Sequence, residues 1–303
     1  MKIVNIIEVN NLSKSYGDIK AVNDISFSVK KGSLFAFLGP NGAGKSTTIN
    51  VLITLLKKDT GNIMVCGSDN ENTIRKKIGV VFQNNVLDDL LTVKENLLYR
   101  GALFVKNKKD LLKRYEELKE LLDFKNFEKQ KFRTLSGGQK RKVEIARALF
   151  SNPEVLLLDE PTTGLDPETR KIVWEVINGL RKKEGITIFL TTHYMEEAAN
   201  ADYVVIIDNG VIVTEGSPAE LKEKYSFDSL IIHPKRKDEL IEYLKKENKE
   251  YQKVADQFII RLNDTEEAIK CIIDLKGNIK LFEVKRGNMD DVFINAIGGN
   301  GDV

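Results

Sequence analysis

The nonapeptide Gly39-Pro40-Asn41-Gly42-Ala43-Gly44-Lys45-Ser46-Thr47 constrains this 303-residue chain more than any other feature. It follows the wholly apolar run Leu34 to Leu38 and leads into a helical pattern from Lys45 to Leu56. The spacing G-x-x-x-x-G-K-[ST] therefore sits between a buried strand and a helix, the context in which it holds phosphate. Its glycines let successive backbone N–H groups turn inward on phosphate oxygens, and the start of the helix adds its positive end. Lys45 is placed to reach the β- and γ-phosphates as a point charge, and the Ser46 hydroxyl to bind Mg²⁺.

A second apolar strand, Val155 to Leu158, ends in Asp159 and Glu160. Adjacent side chains of a strand point to different sides, so two carboxylates there can do different work. Asp159 is placed to hold the Mg²⁺ shell, and Glu160 to orient and polarise a water that attacks the γ-phosphate. Asp166-Pro167 then opens a helix, with Asp at the cap and Pro in the first turn. That helix carries Ile172, Val173, Val176, Ile177 and Leu180 on one face, and Ile186 to Thr191 returns as a strand. Strand, helix, strand in this order is the pattern of a parallel α/β sheet.

These two motifs leave a GTPase, a kinase, a recombinase-like ATPase and a transporter motor open. Leu135-Ser136-Gly137-Gly138-Gln139 decides between them. It begins a helix over Lys140 to Phe150, so Ser136 and the two glycine N–H groups form a second anion-binding helix start. With this pentapeptide the sequence resembles, over residues 3–220, the ATP-binding subunit of an ATP-binding cassette (ABC) transporter, whose signature motif it matches.

The resemblance implies an α/β fold: a RecA-like parallel sheet core with an antiparallel β subdomain and an α-helical subdomain over about residues 84–149. It implies ATP and Mg²⁺ as cofactors. Tyr16 stands where the family stacks an aromatic ring on adenine. Gln83, ending the apolar run Ile78 to Phe82, matches the glutamine that contacts Mg²⁺ and the attacking water. Gly164-Leu165-Asp166 matches the loop that crosses between subunits, and His193 matches the histidine that contacts the γ-phosphate. In such proteins the signature of one subunit closes over the ATP held by another. A chain with one set of motifs must then pair with a second nucleotide-binding subunit, most simply as a homodimer with two hydrolysing sites.

Composition agrees with an enzyme that works through sites. Forty-seven basic residues against 45 acidic leave a charge of +2, which gives no general attraction to nucleic acid. No apolar run reaches the roughly 18 residues of a membrane helix, and residues 1–11 lack the apolar core of a signal peptide. A cytoplasmic ATPase, peripheral on the inner face of the membrane through a separate permease chain, is the expectation. Cys66 and Cys271 form no CxxC pair, and with two histidines the chain has too few ligands for a His/Cys zinc site. Both thiols are read as buried and structural, and Glu196 and Glu197 as the acidic first turn of a helix.

Past about Lys224 the motifs give way to a lysine-rich alternation of short strands and helices, a small α/β domain over residues 225–303 that follows the ATP-binding domain of residues 1–224. Its last helix starts near Asn288 and ends at Gly298 and Gly299. Residues 160–167 and 191–198 resemble the daunorubicin-resistance branch, which exports drugs, lipids and polymers. Met289-Asp290-Asp291-Val292-Phe293 is similar to a stretch common near the end of such subunits. The alternatives are an importer ATPase, which shares every catalytic residue, and a soluble ABC ATPase. Translation factors carry two cassettes and repair ATPases a long coiled coil, and neither fits this chain.

Overall fold

The computed structural model describes residues 4–262 and 264–298, so Gly299 lies outside the described residues. The chain divides into two compact units, one ending at Glu215 and one beginning at Gly216.

The first unit opens with β1 (Asn5–Tyr16) and β2 (Ile19–Lys30), which pair antiparallel along their length. The sequence reads as several short strands here, whereas the structure has two strands of 12 residues each. The reason lies in repeated register shifts, with Asn11 and Asp24 at φ of 52° and 56°. Each bulge resets the in–out alternation, so the apolar pattern breaks while the strand continues. Then come β3 (Leu34–Leu38), α1 (Lys45–Leu52), β4 (Thr60–Val65), α2 (Glu71–Lys77) and β5 (Ile78–Val81). Helix α1 stops four residues short of Leu56, because Thr54 takes φ of 62°, outside helical space.

The helical interval contributes α3 (Val93–Gly101), α4 (Lys108–Leu121) and α5 (Gly137–Leu149). Helix α4 is half solvated: of the apolar residues at three-and-four spacing along it, Tyr115 and Leu118 are buried, whereas Leu112 is exposed. The unit closes with β6 (Val155–Asp159), α6 (Pro167–Glu184), β7 (Thr187–Thr192), α7 (Met195–Ala198), β8 (Tyr203–Asp208) and β9 (Val211–Gly216). Six strands form one sheet in the order β5-β6-β7-β3-β8-β9, in which the pairs from β5 to β8 are parallel. β1, β2 and β4 form a separate antiparallel sheet. β3, β6 and β7 are buried at every position, which is why they read as continuous apolar runs. The rings of Phe27, Phe35, Phe37 and Phe189 stack in the core beneath them. The phosphate loop and the acid pair thus leave the same end of a rigid sheet, where ligands of open α/β sheets bind.

The second unit runs α8 (Pro218–Tyr225), β10 (Asp228–Pro234), α9 (Lys237–Lys246), β11 (Tyr251–Val254), β12 (Gln257–Leu262), α10 (Thr265–Asp274), β13 (Ile279–Lys285) and α11 (Met289–Gly298). Its strands order β11-β12-β10-β13, every neighbouring pair antiparallel. The central β-α-β-β-α-β order with this pairing is the ferredoxin-like arrangement. Leu230, Ile232, Phe258 and Ile260 on one sheet face bury against Leu240, Leu244 and Cys271 of the two covering helices. Strand β11 carries no apolar alternation, being exposed at the sheet edge, and is not legible in the sequence. Cys271 is buried as expected, and Cys66 is half-buried, its thiol pushed up to about 11 by burial.

Candidate functional site

The turn from β3 into α1 is possible only for the residues that occupy it. Gly42 and Gly44 take φ of 85° and 103°, and a Cβ on Gly44 would stand 2.4 Å from the Ala21 carbonyl oxygen of β2. Gly44→Ala is therefore expected to destabilise the unit by roughly 1 to 3 kcal/mol from backbone strain alone. Urea unfolding would register this as a lowered midpoint with an unchanged slope. Gly39 is held to the neighbouring strand by its N–H, which donates to the Thr192 carbonyl at 3.2 Å. Pro40, Asn41, Ala43 and Thr47 complete the loop and the first turn of α1. Lys45 is 4 % exposed and folds back over the loop, donating to the carbonyls of Gly39 at 2.8 Å and Pro40 at 3.0 Å.

Asp159, at the end of β6, accepts the Thr191 hydroxyl at 2.6 Å and the Ser46 hydroxyl at 3.4 Å. Two hard oxygen donors this close suit Mg²⁺, which needs few protein ligands. Among the described residues no cluster of three or more His, Cys, Asp or Glu side chains could hold a metal by itself. The donor set therefore fits a cation shared with phosphate oxygens.

Glu160 stands one residue further on with φ of 45°, a left-handed conformation that breaks the strand there. Its Oε2 accepts from the Gln83 amide at 3.2 Å and the Thr163 hydroxyl at 3.0 Å, and lies 3.3 Å from His193 Nδ1. Its Oε1 lies 3.3 Å from the Lys45 ammonium. Burial pushes this carboxyl up, but Lys45, the Thr163 hydroxyl and His193 outweigh it, so Glu160 titrates below the ordinary glutamate value. Four segments that are up to 148 residues apart in sequence, from Lys45 to His193, thus meet at one carboxylate.

The signature forms its own helix start. Ser136 caps α5 by accepting the Gln139 N–H at 3.3 Å, and the Gln139 side chain accepts the Ser136 N–H at 3.0 Å, a reciprocal capping box. Leu135 is buried. Gly137 and Gly138 lie against Leu165 and Thr169, where added Cβ atoms would approach to 2.8 and 2.9 Å. Asp166 caps α6, accepting the Thr169 N–H at 3.0 Å and its hydroxyl at 2.6 Å, and these bonds hold its carboxyl below the usual range. Tyr16 is half exposed at the end of β1, in the hairpin whose second strand passes Gly44.

Two sets of residues escape the sequence reading. Along α5, Arg141 donates to the carbonyls of Phe82 and Gln83, and Arg147 to that of Val80. Between them Glu144, 1 % exposed, accepts the N–H groups of Val86 and Leu87 at 2.7 and 3.2 Å and pairs with Arg147 at 2.9 Å. The signature helix is thereby clamped to the segment around Gln83. Glu144→Ala strands Arg147 and two backbone donors and should cost roughly 3 to 5 kcal/mol, measured by chemical denaturation, with Glu144→Gln losing less. The second set centres on Glu197, which stands with Glu196 in the acidic first turn of α7 as the sequence suggests, but is buried where Glu196 is exposed.

Comparison with known proteins agrees with this geometry. Residues 22–163 match the ABC transporter family, and residues 216–297 match the C-terminal domain of DrrA1-3-like ATP-binding proteins. The chain is 40% identical over 224 residues to the doxorubicin resistance ATP-binding protein DrrA of Mycobacterium tuberculosis, covering 72% of this chain and 67% of that protein. It is 36% identical over 302 residues to the Nod factor export ATP-binding protein I of Burkholderia lata, covering 96% and 97%. Among solved structures it resembles the ATP-binding cassette MJ0796, a dimer in a post-hydrolysis state bound to ADP and Pi. That match has a TM-score of 0.62 and 29% identity, and covers 70% of this chain and 98% of the other. The chain belongs to the ABC transporter ATP-binding proteins, a family of ATPases coupled to transport, and carries the C-terminal domain of the DrrA-like branch.

Proposed function

We propose that this chain is the motor subunit of a multi-subunit exporter and that it hydrolyses ATP at the cluster around Glu160. The observation that carries the reading is the convergence of Lys45, Gln83, Thr163 and His193 on that one buried carboxylate. The loop N–H groups of residues 39–47 and Lys45 hold the β- and γ-phosphates, and Tyr16 stacks on the base. Glu160 and Gln83 orient a water in line with the γ-phosphorus, and Glu160 draws its proton as the oxygen attacks. The bond from phosphorus to the bridging oxygen breaks, ADP leaves with the electron pair, and His193 steadies the γ-phosphate oxygens. Mg²⁺, held by Ser46 and Asp159 with Gln83 nearby, neutralises charge on the phosphate oxygens when bound.

Ser136, Gly137, Gly138 and Gln139 complete the site of a second copy, so ATP draws two subunits together, with Leu135 and Asp166 at the same face. Pairing of this kind is supported by the dimeric state of the MJ0796 cassette. A separate integral membrane permease supplies the transport path, a reading supported by the chain's likeness to the ATP-binding proteins of exporters. The helical interval carries the exposed apolar side chains Val86, Leu90, Tyr99, Leu103 and Phe104, which a permease could cover. Export is supported by the likeness to the doxorubicin resistance ATP-binding protein DrrA and the Nod factor export ATP-binding protein I. The chain then works in the cytoplasm, on the inner face of the membrane.

The test is capture of tagged Glu160→Gln protein from solubilised native membranes with ATP and Mg²⁺, followed by mass spectrometry. A stoichiometric polytopic membrane protein is expected. Recovery of soluble or ribosomal partners alone, with ATP binding intact, would move the chain to the soluble ABC ATPases.

A further inference from the structure

We infer that Glu197 is a positioning residue that fixes Glu160 and His193 relative to one another. The inference rests on the roles proposed for those two residues. Glu197 lies in the short α7 and is 3 % exposed. One of its oxygens accepts from the Thr162 hydroxyl and from the Trp174 indole N–H, the latter at 3.2 Å. The other accepts from the Thr192 hydroxyl at 2.6 Å. These donors are neutral and come from three separate segments: the turn after β6, the middle of α6 and the end of β7.

Two of these donors, Thr162 and Thr192, are one step from the chemistry. Thr162 is followed by Thr163, whose hydroxyl donates to Glu160 at 3.0 Å, and its own carbonyl accepts the Leu165 N–H that starts the turn toward Asp166. Thr192 precedes His193, and its hydroxyl oxygen also accepts the Tyr194 N–H at 2.9 Å, which fixes the turn carrying the imidazole. The Thr192 carbonyl in turn accepts the Gly39 N–H of the phosphate loop. A buried carboxyl with no ion-pair partner among the described residues is a costly way to fill space, and an apolar side chain would fill it with less desolvation. What the carboxyl adds is direction. Two oxygens accepting three bonds lock two turns that otherwise share no covalent neighbour. Misplacing either group by about an ångström can cost roughly a hundredfold in rate.

The experiment compares wild type with Glu197→Gln, Thr192→Val and Thr192→Ser. Gln keeps the shape but turns one acceptor into a donor, so at least one hydroxyl or the indole loses its partner. Valine removes the Thr192 bridge and serine retains it. Steady-state kinetics and the ring C2-proton resonances of His193 and His233, the only two histidines, are read together. In Glu197→Gln and Thr192→Val, kcat should fall roughly tenfold to hundredfold with little change in KM for ATP. The His193 resonance should move while that of His233 stays, and Thr192→Ser should restore both. A folded Glu197→Gln protein with wild-type kcat and an unmoved His193 resonance overturns the inference. So does failure of both Glu197→Gln and Thr192→Val to fold, since the network then serves folding alone. If wild type itself does not hydrolyse ATP, the reading of the site fails separately, and the His193 resonance still decides the role of Glu197.

Discussion

Replacing Glu160 by glutamine is expected to lower ATP hydrolysis by roughly 10²- to 10⁴-fold, the range lost with a positioned general base, while leaving ATP binding intact or tighter. The first half follows from acidity, since an amide cannot draw a proton from water. The second follows from the geometry of the site, in which Glu160 lies 3.3 Å from the Lys45 ammonium that the phosphates would also engage. Glutamine removes that competitor. The variant should therefore accumulate an ATP-bound dimer by size-exclusion chromatography with Mg²⁺, and normal turnover would remove Glu160 from its role. A pH dependence goes with it. Because the folded carboxyl titrates below the ordinary 4.5, its pairing adds stability that is fully present above about pH 4.5 and fades as the pH falls through the lowered folded value. The difference in urea midpoint between wild type and Glu160→Gln should accordingly shrink in acid.

What the sequence disclosed and what it hid follow from the range of the forces involved. Phosphate chemistry needs particular atoms at fixed backbone offsets, so residues 39–47, Asp159, Glu160 and residues 135–139 announce themselves locally. Caps are equally local: Asp166 with Thr169, and Ser136 with Gln139, span three residues each. The bonds that assemble the site are not local. Gln83 reaches Glu160 across 77 residues, and Glu144 reaches Val86 across 58. Glu197 shows the limit most clearly. In sequence it is one of two adjacent acids at a helix start, and only Thr162, Trp174 and Thr192, brought in by other elements, make it a buried acceptor. The long strands β1 and β2 were hidden for another reason, since their bulges erase the alternation by which a strand is read.

Lys45→Ala should separate two roles that the structure combines in one side chain. Its ammonium would give ATP a charge-assisted contact of roughly 1.5 to 3 kcal/mol, so the dissociation constant should rise about tenfold to more than a hundredfold by calorimetry. In the structure the same ammonium satisfies the carbonyls of Gly39 and Pro40 and compensates Glu160. Its loss leaves a buried carboxyl with burial less opposed, so the fold should weaken as well. Adding Glu160→Gln to Lys45→Ala removes that stranded charge, and the double variant should regain part of the stability without regaining ATP affinity. If affinity and stability recover together, the weak binding of Lys45→Ala reflects a damaged loop; if affinity stays low while stability returns, it reflects the lost contact between Lys45 and phosphate.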